Sequence, residues 1–237
     1  MSIEESAISI KNLGFSWLDG RPEVIDIPAL DIELGESVFL HGPSGCGKST
    51  LISLLAGVTL PSRGKINVLN ETISSMNGAR RDRFRADHVG LIFQMFNLVP
   101  YLSVVENVTL PCGFSQSRKA KITKTGMSPE QEAKRLLDSL DLADPKLQKA
   151  SVADLSVGQQ QRVAAARALI GSPELVIADE PTSALDNERA HSFVELLFAE
   201  CRANNSTLLF ISHDMTLARH FDRVVSFQEV NLSGVDV

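Results

Sequence analysis

Residues 42–50 read GPSGCGKST. They fit the pattern G-x-x-x-x-G-K-[ST], whose chemistry needs a strand on one side and a helix on the other. Both flanks comply. ESVFLH runs apolar into Gly42, and TLISLLAG follows with helical periodicity and stops at Gly57. Gly42, Gly45 and Gly47 let the backbone curl until successive N–H groups face one anion, and the following helix N-terminus adds its positive dipole end. Lys48 supplies a point charge for β- and γ-phosphates, and the Ser49 hydroxyl is a ligand for Mg²⁺. Pro43, Ser44, Cys46 and Thr50 complete the loop and its exit. A chain so built around strand, phosphate loop and helix is committed to an α/β fold.

The rest of the chain repeats that alternation. AISIKNLGFSW, DIPALDIEL and ESVFLH read as strands, SRGKINVLN as turn and strand, GARRDRFR as a short basic helix, and HVGLIFQ as a buried strand. Residues 95–158 differ. They hold prolines at 100, 111, 129 and 145, the loose polar stretch SQSRKAKITKTG, and a helix SPEQEAKRLLDSL with proline and acids at its start. This region is expected to be a mostly helical subdomain inserted in the core. Beyond it, ELVIADE, NERAHSFVELLFAECRAN, TLLFISHD, a short helix and RVVSFQE alternate again. Apolar strands alternating with helices imply a mostly parallel sheet covered on both faces.

Composition removes several classes of function. Net charge is −6, so there is no basic field for nucleic acid. The three cysteines, Cys46, Cys112 and Cys201, are widely spaced and fit reduced thiols rather than a metal site. The start MSIEESAISI lacks a basic region leading into an apolar run, so no secretory signal is expected. The longest apolar stretch, LISLLAGVTL, spans ten residues, against roughly 20 needed to cross a bilayer. The chain is therefore expected not to span a membrane by itself.

Two carboxylates stand at the end of LVIADEP. Asp179 is the natural partner of Mg²⁺, and Glu180 is a candidate general base for water attacking a γ-phosphate. Both can reach a crevice if the chain bends where the strand stops. Gln94, after GLIF, can ligate Mg²⁺ and hold water, or simply cap a strand end. His213, after TLLFIS, can contact a γ-phosphate or be an inert loop histidine. Trp17 is the sole tryptophan, and it can stack on a nucleobase; Phe15 beside it reads as core.

The order of these features is more telling than any one of them. Aromatic, GPSGCGKST, Gln94, LSVGQ, LVIADEP, SALD and His213 together resemble the nucleotide-binding subunit of ABC transporters, over practically the whole chain. The resemblance implies a P-loop NTPase (RecA-like) core with an N-terminal antiparallel β subdomain and the inserted helical subdomain, all one ATPase domain over 1–237. It also implies ATP and Mg²⁺ as cofactors, and a homodimer whose two ATP sites are shared. Carried over, Lys48, Gln94, Glu180 and His213 are the catalytic set. Trp17 and residues 42–50 hold ATP, while Ser156, Val157, Gly158, Gln159 and Asp186 complete the site of the opposite subunit. Ser49, Gln94 and Asp179 hold Mg²⁺. One departure stands out: Val157 replaces the usual glycine of the signature. A β-branched residue disfavours positive φ, so Val157 is expected at negative φ, with phosphate contacts from Ser156 and Gly158.

Within the family, RADHVGLIFQMFNLVPYLSVVENVTLP and SALD look like the group serving lipoprotein release, macrolide export and the FtsEX pair (MacB/LolD/FtsE-like). The implied partner is an integral-membrane permease, received near Met95, Phe96, Leu98 and Tyr101, with the subunit peripheral on the cytoplasmic face of the plasma membrane. A non-transporting signalling complex and a soluble ABC-type ATPase are the alternatives. Residues 112–127 carry no recognisable role.

Overall fold

The computed structural model describes residues 6–18 and 21–233. In chain order the strands and helices are β1 (Ser6–Phe15), β2 (Ile25–Glu33), β3 (Ser37–His41), α1 (Lys48–Leu55), β4 (Arg63–Val68), β5 (Glu71–Thr72), α2 (Gly78–His88), β6 (Val89–Ile92), α3 (Val104–Phe114), α4 (Gln116–Lys124), α5 (Pro129–Ser139), α6 (Pro145–Lys149), α7 (Val157–Leu169), β7 (Leu175–Asp179), α8 (Asn187–Ala203), β8 (Thr207–Ile211), β9 (Arg223–Ser226) and α9 (Phe227–Val230). They divide into two compact units, one of residues 1–85 with 207–237 and one of residues 86–206.

The first unit carries an antiparallel sheet in the order β2-β1-β4-β5. Its register is set by apolar cross-strand pairs: Ile8 faces Ile32, Ile10 faces Leu30, Leu13 faces Ile27 and Phe15 faces Ile25. The same unit holds three parallel strands with β3 between β8 and β9. Every residue of β8 is buried, as are the first four of β3. Such continuous apolar runs are what a sheet covered on both faces requires. Phe39, Phe210 and Phe221 cluster there with ring centroids 5.1–6.1 Å apart.

In the second unit β6 and β7 pair in parallel, with Ile92 opposite Ala178. Helices α3 to α8 fill the rest. Ser128 caps α5 in a reciprocal box with Gln131, and Pro129 opens the helix, as the sequence SPEQ implies. Helix α8 buries Ala190, Phe193, Val194, Leu197, Phe198 and Cys201, the spacing of a single helical stripe.

Three expectations change in detail. The polar stretch from Ser115 is helix α4 rather than loose chain. Ser115 caps it by accepting from the Arg118 N–H at 3.0 Å, and Arg118 and Ile122, one turn apart, are buried. HVGLIFQ is strand only at Val89–Ile92: His88 ends α2, and Gln94 lies in the turn after β6. RVVSFQE is strand only to Ser226, where the chain turns into α9 around the fully buried Phe227.

Candidate functional site

The first unit contributes a phosphate loop of the expected shape. It leaves β3 at His41 and enters α1 at Lys48. Gly45 and Gly47 take φ of 81° and 106°, conformations closed to most side chains. Gly47 stands at the N-cap of α1 and no side chain caps the helix there, which leaves its first N–H groups for an anion. Lys48 is almost wholly buried, and its ammonium donates to the carbonyls of Gly42 and Pro43 at 2.8 Å each. The cation is thus folded across the loop, 3.9 Å from Cys46 Sγ.

His213 follows β8, which pairs with β3; Ser212 N–H donates to Leu40 O at 3.2 Å. The phosphate loop and His213 therefore emerge from the carboxyl ends of neighbouring parallel strands, where open α/β sheets bind ligands. His213 is exposed, and Asp214 after it caps a short 3-10 turn. Trp17 is 60% exposed and meets the buried Phe15 edge-on at 5.0 Å. Phe15 is core, and the indole face is open to a planar ligand.

The second unit repeats the arrangement. Asp179 and Glu180 stand where β7 ends, and Gln94 stands two residues beyond β6, its parallel neighbour. Glu180 has φ of 45°. That left-handed kink turns the chain where the strand stops, and a non-glycine residue holds it only against a strain of about 1 kcal/mol or more.

Ser156 caps α7. Its hydroxyl accepts from Gln159 N–H, while Gln159 Oε1 accepts from Ser156 N–H at 2.9 Å. Val157 opens the helix with no positive φ, as the side-chain argument requires. Gln159 is the reciprocal cap, and Gln160 donates to Leu155 O, so the polar start of this helix serves its own backbone first. Asp186 likewise caps α8, accepting from Arg189 N–H at 3.0 Å. A cleft of about 390 Å³ opens between these two helix starts, lined among others by Ser156, Gly158, Leu185, Arg162 and Arg189. Two arginines outside the motifs line it, and each is paired with a carboxylate, Arg189 with Asp186 at 3.4 Å. Arg162 is tied to Asp141 at 2.6 Å.

Arg167, in the last turn of the same helix, likewise belongs to no motif. Its guanidinium donates to the carbonyls of Phe96 and Asn97 at 2.5 and 2.6 Å, and both residues have positive φ. Burial pushes the Arg167 guanidinium below its usual range. It pins the turn that follows Gln94. Of the four residues assigned to partner docking, Met95 and Tyr101 are more than 80% exposed, whereas Phe96 is buried. Phe96 is core and drops out of that surface. Among the described residues no helix is long and apolar enough to cross a membrane.

A family model described as ABC transporter matches residues 25–183. The lipoprotein-releasing system ATP-binding protein LolD of Pseudomonas fluorescens is 35% identical, covering 98% of this chain and 99% of its own. The uncharacterized ABC transporter ATP-binding protein YbbA of Escherichia coli K12 is 37% identical, covering 92% and 93%. The dimeric ATP-binding cassette MJ0796, solved in a post-hydrolysis state bound to ADP and phosphate, superposes with a TM-score of 0.80 at 30% identity, covering 92% and 93%.

Proposed function

Because the chain belongs to the ABC transporter family, as an ATPase that converts ATP to ADP and phosphate, we propose that it drives a membrane permease through an ATP-closed homodimer. In this reading the whole chain acts as one ATPase domain. Two copies meet head to tail. Ser156 and Gly158 of one copy, with Val157, Gln159 and Asp186 beside them, face the phosphates gripped by residues 42–50 of the other. Support comes from the dimeric cassettes this chain resembles and from the signature's position at the start of a thirteen-residue helix, whose N-terminal dipole favours anions.

The residue roles are those the family resemblance implies, and side-chain chemistry supports each. Trp17 stacks on the base. Lys48 exchanges its two carbonyl partners for phosphate oxygens. Ser49, Gln94 and Asp179 offer hydroxyl, carboxamide and carboxylate oxygens, a donor set suited to Mg²⁺. When bound, the ion would neutralise charge on the β- and γ-phosphate oxygens. Glu180 accepts the proton of the water that attacks the γ-phosphorus as the β–γ bridging bond breaks, and His213 orients the departing phosphate.

The exposed Met95 and Tyr101 face the permease, at the cytoplasmic surface of the membrane. The LolD similarity supports a partner of the lipoprotein-release, macrolide-export or FtsEX-like class. The phosphate loop with its buried, backbone-tethered lysine carries the reading. Its test is Glu180→Gln, which should abolish turnover and accumulate an ATP-bound dimer by light scattering. Turnover near the wild-type rate would refute the base assignment.

A further inference from the structure

We infer that Asn231, at the end of the last described helix, is a positioning residue for the nucleotide phosphates; this rests on the phosphate-loop reading above. Its carboxamide sits between strand β2 and the phosphate loop. Nδ2 donates to Val24 O at 3.1 Å, to Cys46 O at 3.3 Å and to Ser233 Oγ at 3.1 Å, while Oδ1 accepts from Asp26 N–H at 2.7 Å.

The consequence follows from peptide geometry. In a planar trans peptide the C=O and the N–H point in opposite directions. Holding Cys46 O on the Asn231 side therefore aims Gly47 N–H away from it, into the loop's concavity. Gly47 lies close against the chain entering β2. A Cβ there would lie 3.2 Å from Val24 O and 3.1 Å from Ile25 Cδ1, so the loop is backed directly by the strand that Asn231 also grips. Val24 in turn donates to Phe15 O at 2.8 Å, two residues from Trp17. One carboxamide thus ties the strand pair leading to the stacking ring to the loop that holds the phosphates.

The strut is itself anchored. Phe227 is fully buried and packs beneath Gly42, whose Cβ would lie 3.1 Å from Phe227 Cβ. Asn231 N–H donates to Phe227 O at 2.8 Å, and Leu232 N–H to Asp26 O at 2.7 Å. The chain turns away from strand at Phe227 and delivers Asn231 behind the loop.

Asn231→Asp keeps the acceptor for Asp26 N–H but cannot donate to Val24 or Cys46, and Asn231→Ala removes the side chain. Ser233→Ala deletes the contact that touches neither. Calorimetric titration with MgATP should show the dissociation constant rising roughly tenfold for both Asn231 variants, the scale of one or two lost hydrogen bonds. It should stay within about twofold for Ser233→Ala. Turnover at saturating ATP should fall less than about threefold, because the reacting groups are untouched.

Folded Asn231 variants that bind as wild type would overturn the inference alone. So would a loss confined to kcat with KM unchanged. Wild-type protein that fails to bind MgATP would overturn the nucleotide reading with it. Should the variants not fold, hydrogen exchange on the wild type decides: protection of residues 42–48 and 227–231 should rise together on adding ATP. A rise confined to the loop would refute the strut.

Discussion

Replacing Arg118 with methionine should destabilise the protein far more than any exposed arginine substitution. The side chain is 2% exposed. Its guanidinium donates to Ala86 O at 2.7 Å, Ala168 O at 3.2 Å, Ile170 O at 2.8 Å and Val89 O at 2.7 Å. Burial pushes its pKa down to about 10, so the group is still charged at neutral pH, and each bond is charge-assisted. Four such bonds at about 1.5 kcal/mol give roughly 6 kcal/mol. Relief from the cost of burying the cation returns part of that, leaving about 3–4 kcal/mol. For a chain of this size the thermal midpoint should drop by roughly 6–16 °C. Arg118→Lys, which keeps the charge but not the fork, should fall between. Gly171→Ala tests the same clamp from outside. Its φ is 71°, and a Cβ there would lie 2.5 Å from Arg118 Cβ, so the substitution should destabilise through strain as well as contact. Circular dichroism melts and urea titration measure these changes. A loss of less than about 1 kcal/mol for Arg118→Met would refute the clamp, since even one orphaned buried carbonyl costs about that much.

Two further outcomes follow from particular contacts. Val157→Gly should leave turnover within about threefold and lower stability by roughly 0.4 kcal/mol, the difference in helix propensity, because Val157 is half-exposed and already in helical backbone; a tenfold rate change would show that its side chain or φ matters at the partner's phosphate. Burial raises the Glu174 carboxyl, but hydrogen bonds from His88 at 3.1 Å and Lys121 at 2.8 Å, with the Lys121 charge, outweigh it and hold the pKa at about 2. A carboxylate so depressed stabilises the fold fully above its unfolded value near 4.5 and loses that contribution as pH falls toward 2. The side chain is 40% exposed, so solvent screening limits the effect to about 1 kcal/mol. Thermal midpoints measured from pH 6 to pH 3 should therefore fall less steeply in Glu174→Gln than in wild type, and parallel curves would exclude the effect.

What a few consecutive residues can specify is legible before any folding is considered. The phosphate loop is legible because glycine spacing, a lysine and the flanking periodicities all lie within one short stretch. Asp179 and Glu180 are legible because an apolar run stops at them, and Ser156 because the residue three positions on completes its cap. Even the negative φ of Val157 follows from its branched Cβ alone. Features that join groups far apart in the chain emerge only on packing. Arg118 meets carbonyls 29 to 52 residues away, and α4 shows only one apolar residue, Ile122, on the face it buries, too little for a periodic signal. Arg167 reaches back 70 residues to a turn, and Asn231 reaches 185 to Cys46. Backbone carbonyls carry no residue identity, so a side chain that binds them leaves no partner in the sequence to be found. Which arginine is a clamp and which asparagine a strut is written only in the packing.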